Sequence, residues 1–225
     1  MEKEALLAVG VRSGGIDNLV IAINEWINAF REPVDTVESS NTGCAMIIPG
    51  EPFKPKKAWD YFVFRRQKKT GLASWESSYE RFNKGEHPQT IAMSPLSGRP
   101  IQVNTVIGHV FDGMLSGLAV DLARLSTLST PPSKSEWDTL SRAEVDTGIS
   151  VIGDPKTSGT NGEAVRVSDF LGPILGEDFM SKEYTQRTPQ EQAEYGKWCG
   201  LFRWYSTLTR IGYSPTFVSE VDIEL

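Results

Sequence analysis

The stretch NTVIGHVFDGMLSGLAVDLARLSTL, residues 104–128, has the strongest apolar pattern in the chain. Its apolar side chains recur at helical spacing and line one broad face: Val106, Ile107, Val110, Phe111, Met114, Leu115, Leu118, Leu122 and Leu125. If it is helical throughout, the stretch is about 37 Å long. Gly108, Gly113 and Gly117 punctuate it, and each costs about 1 kcal/mol relative to alanine in a helix interior. We therefore expect a core helix whose glycines allow another helix to approach closely, with Pro131-Pro132 stopping the segment.

Two other segments have the same helical periodicity. In residues 16–31 the apolar positions are Ile16, Leu19, Val20, Ile23, Trp26, Ile27 and Phe30. Near the C-terminus, Thr188, Pro189 and Glu191 match the N-cap, N1 and N3 positions of a capping box with its favoured proline. The apolar face of that helix contains Tyr195, Trp198, Leu201, Phe202, Tyr205 and Leu208. We expect this helix to end at Gly212 and the three helices to pack on one another.

Shorter helices are predicted between these long ones. Residues 72–82 have apolar side chains at helical spacing and are followed by Gly85. Ser135 is a candidate N-cap for a short helix that ends near Gly148. Residues 58–66 match both the helical and the strand period, and we favour a helix because helices surround them.

The remaining segments predict a small amount of β-structure. Residues 44–50 form a candidate short buried strand, and residues 86–103, with three prolines, are expected to be a loop or a small hairpin. Residues 149–167 consist of two alternating runs around a centre rich in Gly, Ser, Thr and Asn, which predicts a β-hairpin with a long mobile tip. The last ten residues are expected to be a strand-like tail.

These elements predict a mainly α fold: a helical bundle-like core with a small β-hairpin and extended terminal and loop segments. We expect residues 1–225 to form a single domain, and a seam near residues 131–132 is the alternative.

Positive charge is concentrated in one place in an acidic protein. The chain has 23 basic and 29 acidic residues and a net charge of −6. Residues 54–69, KPKKAWDYFVFRRQKK, contain seven basic residues and one acidic residue, a net charge of +6, so the rest of the chain carries −12. We call these residues the basic-aromatic strip. An acidic chain is a poor non-specific nucleic-acid binder, so any such function must be local to the strip.

The composition of the strip predicts a site for single-stranded nucleic acid, RNA rather than DNA. Cations that neutralise phosphates, together with rings that stack on bases, suit a strand bound without sequence preference. We expect Phe62 and Phe64 to face the core. The alternatives are a solvated loop and a surface for an acidic protein partner. The candidate binding residues are Lys54, Lys56, Lys57, Trp59, Tyr61, Arg65, Arg66, Lys68 and Lys69.

The aromatic content predicts self-assembly. Six Trp, six Tyr and ten Phe exceed what a helical core of this size needs, and Trp, Tyr and Arg are enriched at protein interfaces. Trp204 lies off the main apolar face of its helix, and Tyr213 and Phe217 lie near glycine or proline beyond it. These three residues are the candidate assembly interface. The alternative is that such rings cover the ends of the core.

No pattern in the sequence indicates a catalytic, metal or cofactor site. His109 and Asp112 are three residues apart on the predicted long helix, but one such pair is a weak metal signal. Cys199 lies in an aromatic helix, where a buried thiol is a simpler interpretation than a nucleophile.

Only two cysteines are present, which fits a reducing compartment. We expect neither a signal peptide nor a membrane span, and a location in the cytoplasm or in a virion formed there.

Together these features favour a self-assembling structural protein that coats nucleic acid, such as a viral capsid or nucleocapsid subunit. A helical adaptor or regulator that binds another protein is the second interpretation. An enzyme whose site is assembled from scattered residues is the third.

Overall fold

The protein has a mainly α architecture with a small antiparallel sheet, as the sequence predicts. This computed structural model describes residues 44–68, 71–96 and 98–218. The predicted helix at 16–31 lies outside the described residues. In chain order the elements are β1 (Ala45–Met46), α1 (Glu76–Asn83), α2 (Pro88–Met93), α3 (Val103–Leu115), α4 (Leu122–Ser126), α5 (Lys134–Thr147), α6 (Val167–Leu175), α7 (Glu177–Met180), α8 (Pro189–Arg210) and β2 (Phe217–Val218), with 3-10 turns at Thr160–Gly162 and Tyr184–Gln186.

The stretch 104–128 forms two helices, so the single long helix is a wrong prediction. Gly117 adopts a left-handed φ of 87°, and the N–H groups of Gly117 and Leu118 donate to Met114 O and Gly113 O at 2.9 and 3.1 Å. These two bonds form a Schellman motif, which ends α3. Leu118 is 38% exposed instead of belonging to the core face. Helix α4 then starts behind Asp121, whose carboxylate accepts the N–H of Arg124 at 2.9 Å.

The glycine at position 113 allows the close helix contact that the sequence predicts. A Cβ at Gly113 would lie 2.3 Å from Cδ2 of Tyr79 on α1, which is closer than any side-chain carbon can come. The Tyr79 hydroxyl also donates to Ala119 O at 2.6 Å. Helix α1 therefore lies against α3 with a tyrosine ring on the glycine.

Two clusters of buried side chains make up the core, and α8 contributes to both. The first cluster is formed mainly by α1, α3 and α4, and it includes Phe82, Phe111, Met114, Leu122 and Leu125. The second is formed mainly by α5 and α6, and it includes Leu140, Phe170 and Leu171. From α8, Trp204 and Leu208 enter the first cluster, whereas Leu201, Phe202 and Tyr205 enter the second. Helix α8 is therefore buried on two faces.

The two-stranded sheet joins distant parts of the chain. β1 and β2 pair antiparallel, with Ala45 opposite Val218 and Met46 opposite Phe217. This pairing confirms the short strand within residues 44–50 and a strand at the start of the C-terminal tail.

Residues 149–167 do not form the predicted hairpin. The Asp154 side chain and carbonyl accept the N–H groups of Lys156 and Thr157 at 2.9 and 3.0 Å, and Val165 N–H donates to Pro155 O. The two bonds to Asp154 form a local turn, and the single bond between Val165 and Pro155 is not continued into a cross-strand ladder.

Two smaller features differ from the sequence predictions. Residues 88–93 are helical rather than a loop or hairpin, because Pro88 occupies N1 and His87 Nδ1 accepts the Gln89 N–H at 3.2 Å. Helix α5 is capped by Ser133, in a capping box with Glu136, and not by Ser135. Its end at Gly148 is as predicted.

Candidate nucleic-acid interface

The described part of the basic-aromatic strip, residues 54–68, has no regular secondary structure. It crosses the C-terminal end of α3, where the Trp59 N–H donates to Leu115 O at 2.8 Å. A Cβ at Gly117 would lie 3.2 Å from the backbone nitrogen of Ala58, so the strip passes directly over this glycine. The helix favoured for residues 58–66 is therefore wrong: the Trp59 N–H bonds to a distant segment, and the single turn from the Phe62 N–H to Trp59 O, at 3.0 Å, is not continued.

Trp59 fixes the strip to the core instead of presenting a ring to a base. Its side chain is buried, and Nε1 donates to Ile152 O at 3.1 Å. The guanidinium of Arg210, from the end of α8, lies 4.2 Å from the centre of its ring. A cation on a desolvated indole face stabilises both side chains, so the prediction of Trp59 as a stacking residue is corrected.

The neighbouring rings divide between core and surface. Phe62 is half-buried, packs on the first core cluster and lies 6.0 Å from Trp75, as the sequence predicts. Phe64 also contacts Trp75, at 5.7 Å, yet 40% of it is exposed, so it faces the core only on one side. Tyr61 is 44% exposed and Val63 is 85% exposed. Tyr61 and Phe64 are therefore the rings of the strip that a base can reach.

Two of the basic residues already have partners within the protein. Lys57 forms an ion pair with Asp60 at 2.7 Å. Arg66 lies 3.3 Å from the Glu76 carboxylate and donates to Gly71 O at 2.8 Å. These contacts reduce the charge that Lys57 and Arg66 offer to a phosphate.

Four other cations of the strip are exposed and have no ion pair or hydrogen bond with any residue that the structure describes: Lys54, Lys56, Arg65 and Lys68. Lys69 lies outside the described residues. The strip therefore places four unpaired cations beside two accessible rings on an irregular backbone held to the core by Trp59.

Trp204 is not part of an exposed assembly surface. Its exposure is 0%, its Nε1 donates to Ser129 O at 3.1 Å and to Ser129 Oγ at 3.0 Å, and its ring meets Phe111 edge-on at 5.1 Å. The prediction fails because α8 is buried on two faces, and Trp204 lies on the second buried face.

Tyr213 and Phe217 are half-buried at the edge of the first core cluster. Tyr213 packs edge-on against Phe53 at 5.0 Å, and Phe217 contacts Trp137 at 6.3 Å. Both side chains cover the end of the core, as in the alternative interpretation of the aromatic content. Each keeps an accessible side.

A groove between α3 and α8, with a volume of about 730 Å³, ends where the strip crosses α3. Arg203 and Arg210 line it from α8, and His109 and Asp112 line it from α3.

Burial raises the pKa of Asp112 to about 6, although nearby Arg203 acts to lower it. Burial also lowers the pKa of Arg210 to about 10, so its guanidinium stays charged at neutral pH. Sequence reasoning missed these arginines, although their seven-residue spacing on a capped helix places them on one face.

His109 and Cys199 also line the groove, and burial shifts the pKa of each side chain. His109 Nδ1 lies 3.0 Å from Ser78 Oγ, and burial lowers the pKa of this histidine. Burial raises the pKa of Cys199, which disfavours the reactive thiolate. Within the described ranges, no three His, Cys, Asp or Glu side chains are grouped as metal ligands.

Known proteins give no match: no family model, curated protein or solved structure is significantly similar to this chain. Among the helices described for this chain, none is both long and apolar enough to cross a membrane.

Proposed function

We propose that this protein coats single-stranded nucleic acid, RNA rather than DNA, as a subunit of a self-assembling particle such as a viral capsid or nucleocapsid. The observation that carries the proposal is the set of four unpaired cations, Lys54, Lys56, Arg65 and Lys68, beside the exposed rings of Tyr61 and Phe64. Such a surface suits the phosphates and base faces of a strand of any sequence. The cytoplasm, or a virion formed there, is the corresponding location.

A subunit with only four unpaired cations needs other subunits beside it to bind a strand tightly, which supports assembly. Each phosphate contact on a single strand contributes about −0.7 to the slope of log affinity against log salt, so four contacts give a slope of roughly −3. One such subunit binds weakly, whereas many subunits on one strand bind together with high avidity. Exposed apolar side chains on several elements offer contacts between subunits: Val63, Met93, Leu96, Val145, Ile152 and Tyr184.

A salt titration of RNA binding tests the strip. We expect the wild-type protein to bind a short fluorescein-labelled single-stranded RNA with a salt slope of roughly −3. Replacing Lys54, Lys56, Arg65 and Lys68 together with serine is expected to remove most of that slope. The matched control replaces four exposed basic residues outside the strip with serine: Lys84, Arg142, Lys156 and Arg166.

The control separates a local site from the effect of net charge, because both variants lose four positive charges. Equal binding by the strip variant and the control variant would contradict the proposal. Strong binding of the wild-type strip to an acidic protein, with no binding to RNA, would support the adaptor interpretation instead.

Light scattering after size-exclusion chromatography tests assembly. We expect particles much larger than one chain, with RNA bound, and an ordered assembly in electron micrographs. A monomer that is unchanged at high concentration and after addition of RNA would exclude the coat function.

A further inference from the structure

We infer that the groove between α3 and α8 is a second binding site for the same strand, in which Arg203 contacts a phosphate and the apolar floor receives a base. This inference rests on the proposed function and extends it to residues outside the strip. The groove runs along α3, whose 13 residues span about 18 Å.

The groove and the strip meet at two residues. Leu115 lines the groove, and its carbonyl accepts the Trp59 N–H at 2.8 Å. Arg210 also lines the groove, and its guanidinium covers the Trp59 ring at 4.2 Å. The strip therefore adjoins one end of the groove.

Arg203 is the cation in the groove that is free to bind a ligand. It is exposed, its Nη1 makes only a long hydrogen bond of 3.3 Å to Asn104 O, and no described carboxylate lies within ion-pair distance of it. Arg210, in contrast, donates from Nε to Val151 O at 2.8 Å and is held on Trp59. Arg203 therefore supplies the phosphate contact, and Arg210 adds a fixed positive charge at the end of the groove.

The rest of the lining suits a nucleobase. Phe111 and Phe202 form an apolar floor, and Gln102 and Asn104 bring amide groups that can donate and accept hydrogen bonds. Asp112 faces Arg203 without forming an ion pair and offers an acceptor for the amino group of a base. One carboxylate against two guanidiniums leaves the groove positive, which suits a phosphodiester.

Replacing Arg203 tests the groove independently of the strip. We expect Arg203→Gln to weaken binding of the labelled single-stranded RNA about tenfold, which is the usual loss for one charge-assisted hydrogen bond. Arg203→Lys keeps the charge and is expected to retain the salt slope while losing part of the affinity. The matched control is Arg142→Gln, which removes an exposed arginine from α5, outside both the strip and the groove.

Cys199 offers a probe inside the groove. In a Cys44→Ser background Cys199 is the remaining thiol, so the rate of its reaction with a maleimide reports access to the groove. We expect the same single-stranded RNA to slow this reaction in the wild-type groove, and to slow it less in Arg203→Gln. Thermal unfolding of each variant shows whether it is folded.

The outcomes distinguish this inference from the proposed function. If the strip variant loses RNA binding while Arg203→Gln behaves like Arg142→Gln and Cys199 stays unprotected, the strip binds RNA and the groove does not. If Arg203→Gln impairs self-association and leaves RNA affinity unchanged, the groove holds a neighbouring subunit and the inference is wrong. If the wild-type protein binds no single-stranded RNA, both proposals fail.

Discussion

Helix α8 and the basic-aromatic strip are both rich in rings and cations, but different kinds of interaction position them. Helix α8 starts at a local motif: Thr188 Oγ1 accepts the Glu191 N–H at 3.2 Å, and Glu191 accepts the Thr188 N–H at 2.8 Å. The strip has no such motif, and its backbone is tied to Leu115, more than fifty residues away along the chain. The comparison shows that short-range hydrogen bonds can be recognised in a sequence, whereas contacts between distant segments cannot.

The two buried tryptophans show the same contrast. Trp204 is buried because α8 lies between two core clusters, and Trp59 is buried because the strip lies across α3. Both Nε1 groups find backbone carbonyls far away in the sequence, Ser129 O and Ile152 O. The protein has two core clusters rather than one, and they bury many of the aromatic side chains that the sequence analysis assigns to interfaces.

Truncating Trp204 is expected to have the largest effect on stability. Trp204→Ala leaves a cavity between α3 and α8 and removes the donor to Ser129 O, so unfolding should become easier by about 3–5 kcal/mol. Tyr61→Ala, in the exposed part of the strip, is expected to change stability by less than about 0.5 kcal/mol. Urea unfolding of both variants measures this difference, and similar losses at the two sites would contradict the assigned burial.

Alanine substitutions at Gly117, where the strip crosses α3, and at Gly200, where a Cβ on α8 would meet no other atom, should change stability in opposite directions. Gly117→Ala forces a side chain into a left-handed φ and against Ala58, so we expect a loss of about 1–3 kcal/mol. Nothing lies within 4 Å of a Cβ at Gly200, so Gly200→Ala should stabilise α8 by about 0.5–1 kcal/mol. Thermal unfolding that shows a gain at both positions would mean that the strip does not rest on Gly117.

Removing the cap of α8 tests whether its local motif matters energetically. Thr188→Ala leaves the Glu191 N–H without its side-chain acceptor and should cost about 1 kcal/mol. Thr188→Ser keeps the acceptor and serves as the control in the same urea titration. A helix end that is insensitive to Thr188→Ala would show that core contacts alone determine where α8 begins.

The four unpaired cations of the strip are expected to have the smallest effect on folding. Replacing Lys54, Lys56, Arg65 and Lys68 with serine removes no ion pair or hydrogen bond with the described residues, so stability should change by less than about 0.5 kcal/mol. Circular dichroism melting of this variant shows whether a loss of RNA binding arises from the site itself. A large drop in melting temperature would mean that these side chains have a structural function.

The candidate site was predictable in composition but not in arrangement. The sequence shows seven cations and four rings in the strip, yet it cannot show that Lys57 and Arg66 have acidic partners at Asp60 and Glu76. It also cannot show that Arg203 and Arg210 face a groove, because the opposite wall is α3, nearly one hundred residues earlier. Charge is a property of single residues, whereas accessibility depends on which segments pack together.

The sequence by itself determined the features that depend on neighbouring residues. These features are the mainly α class, the capping box at Thr188, and the helix ends at Gly148 and Gly212. Periodicity and capping act over one or two turns, so they survive in any tertiary context.

Only the tertiary structure decided the features that depend on distant residues. The pairing of β1 with β2, the path of the strip across the end of α3, and the burial of Trp59 and Trp204 all belong to this group. Each of them satisfies a backbone or indole hydrogen-bonding group with a partner from a remote segment. A buried polar group needs a hydrogen-bond partner, and that partner can come from any segment of the chain. Which segment supplies it therefore depends on the complete fold.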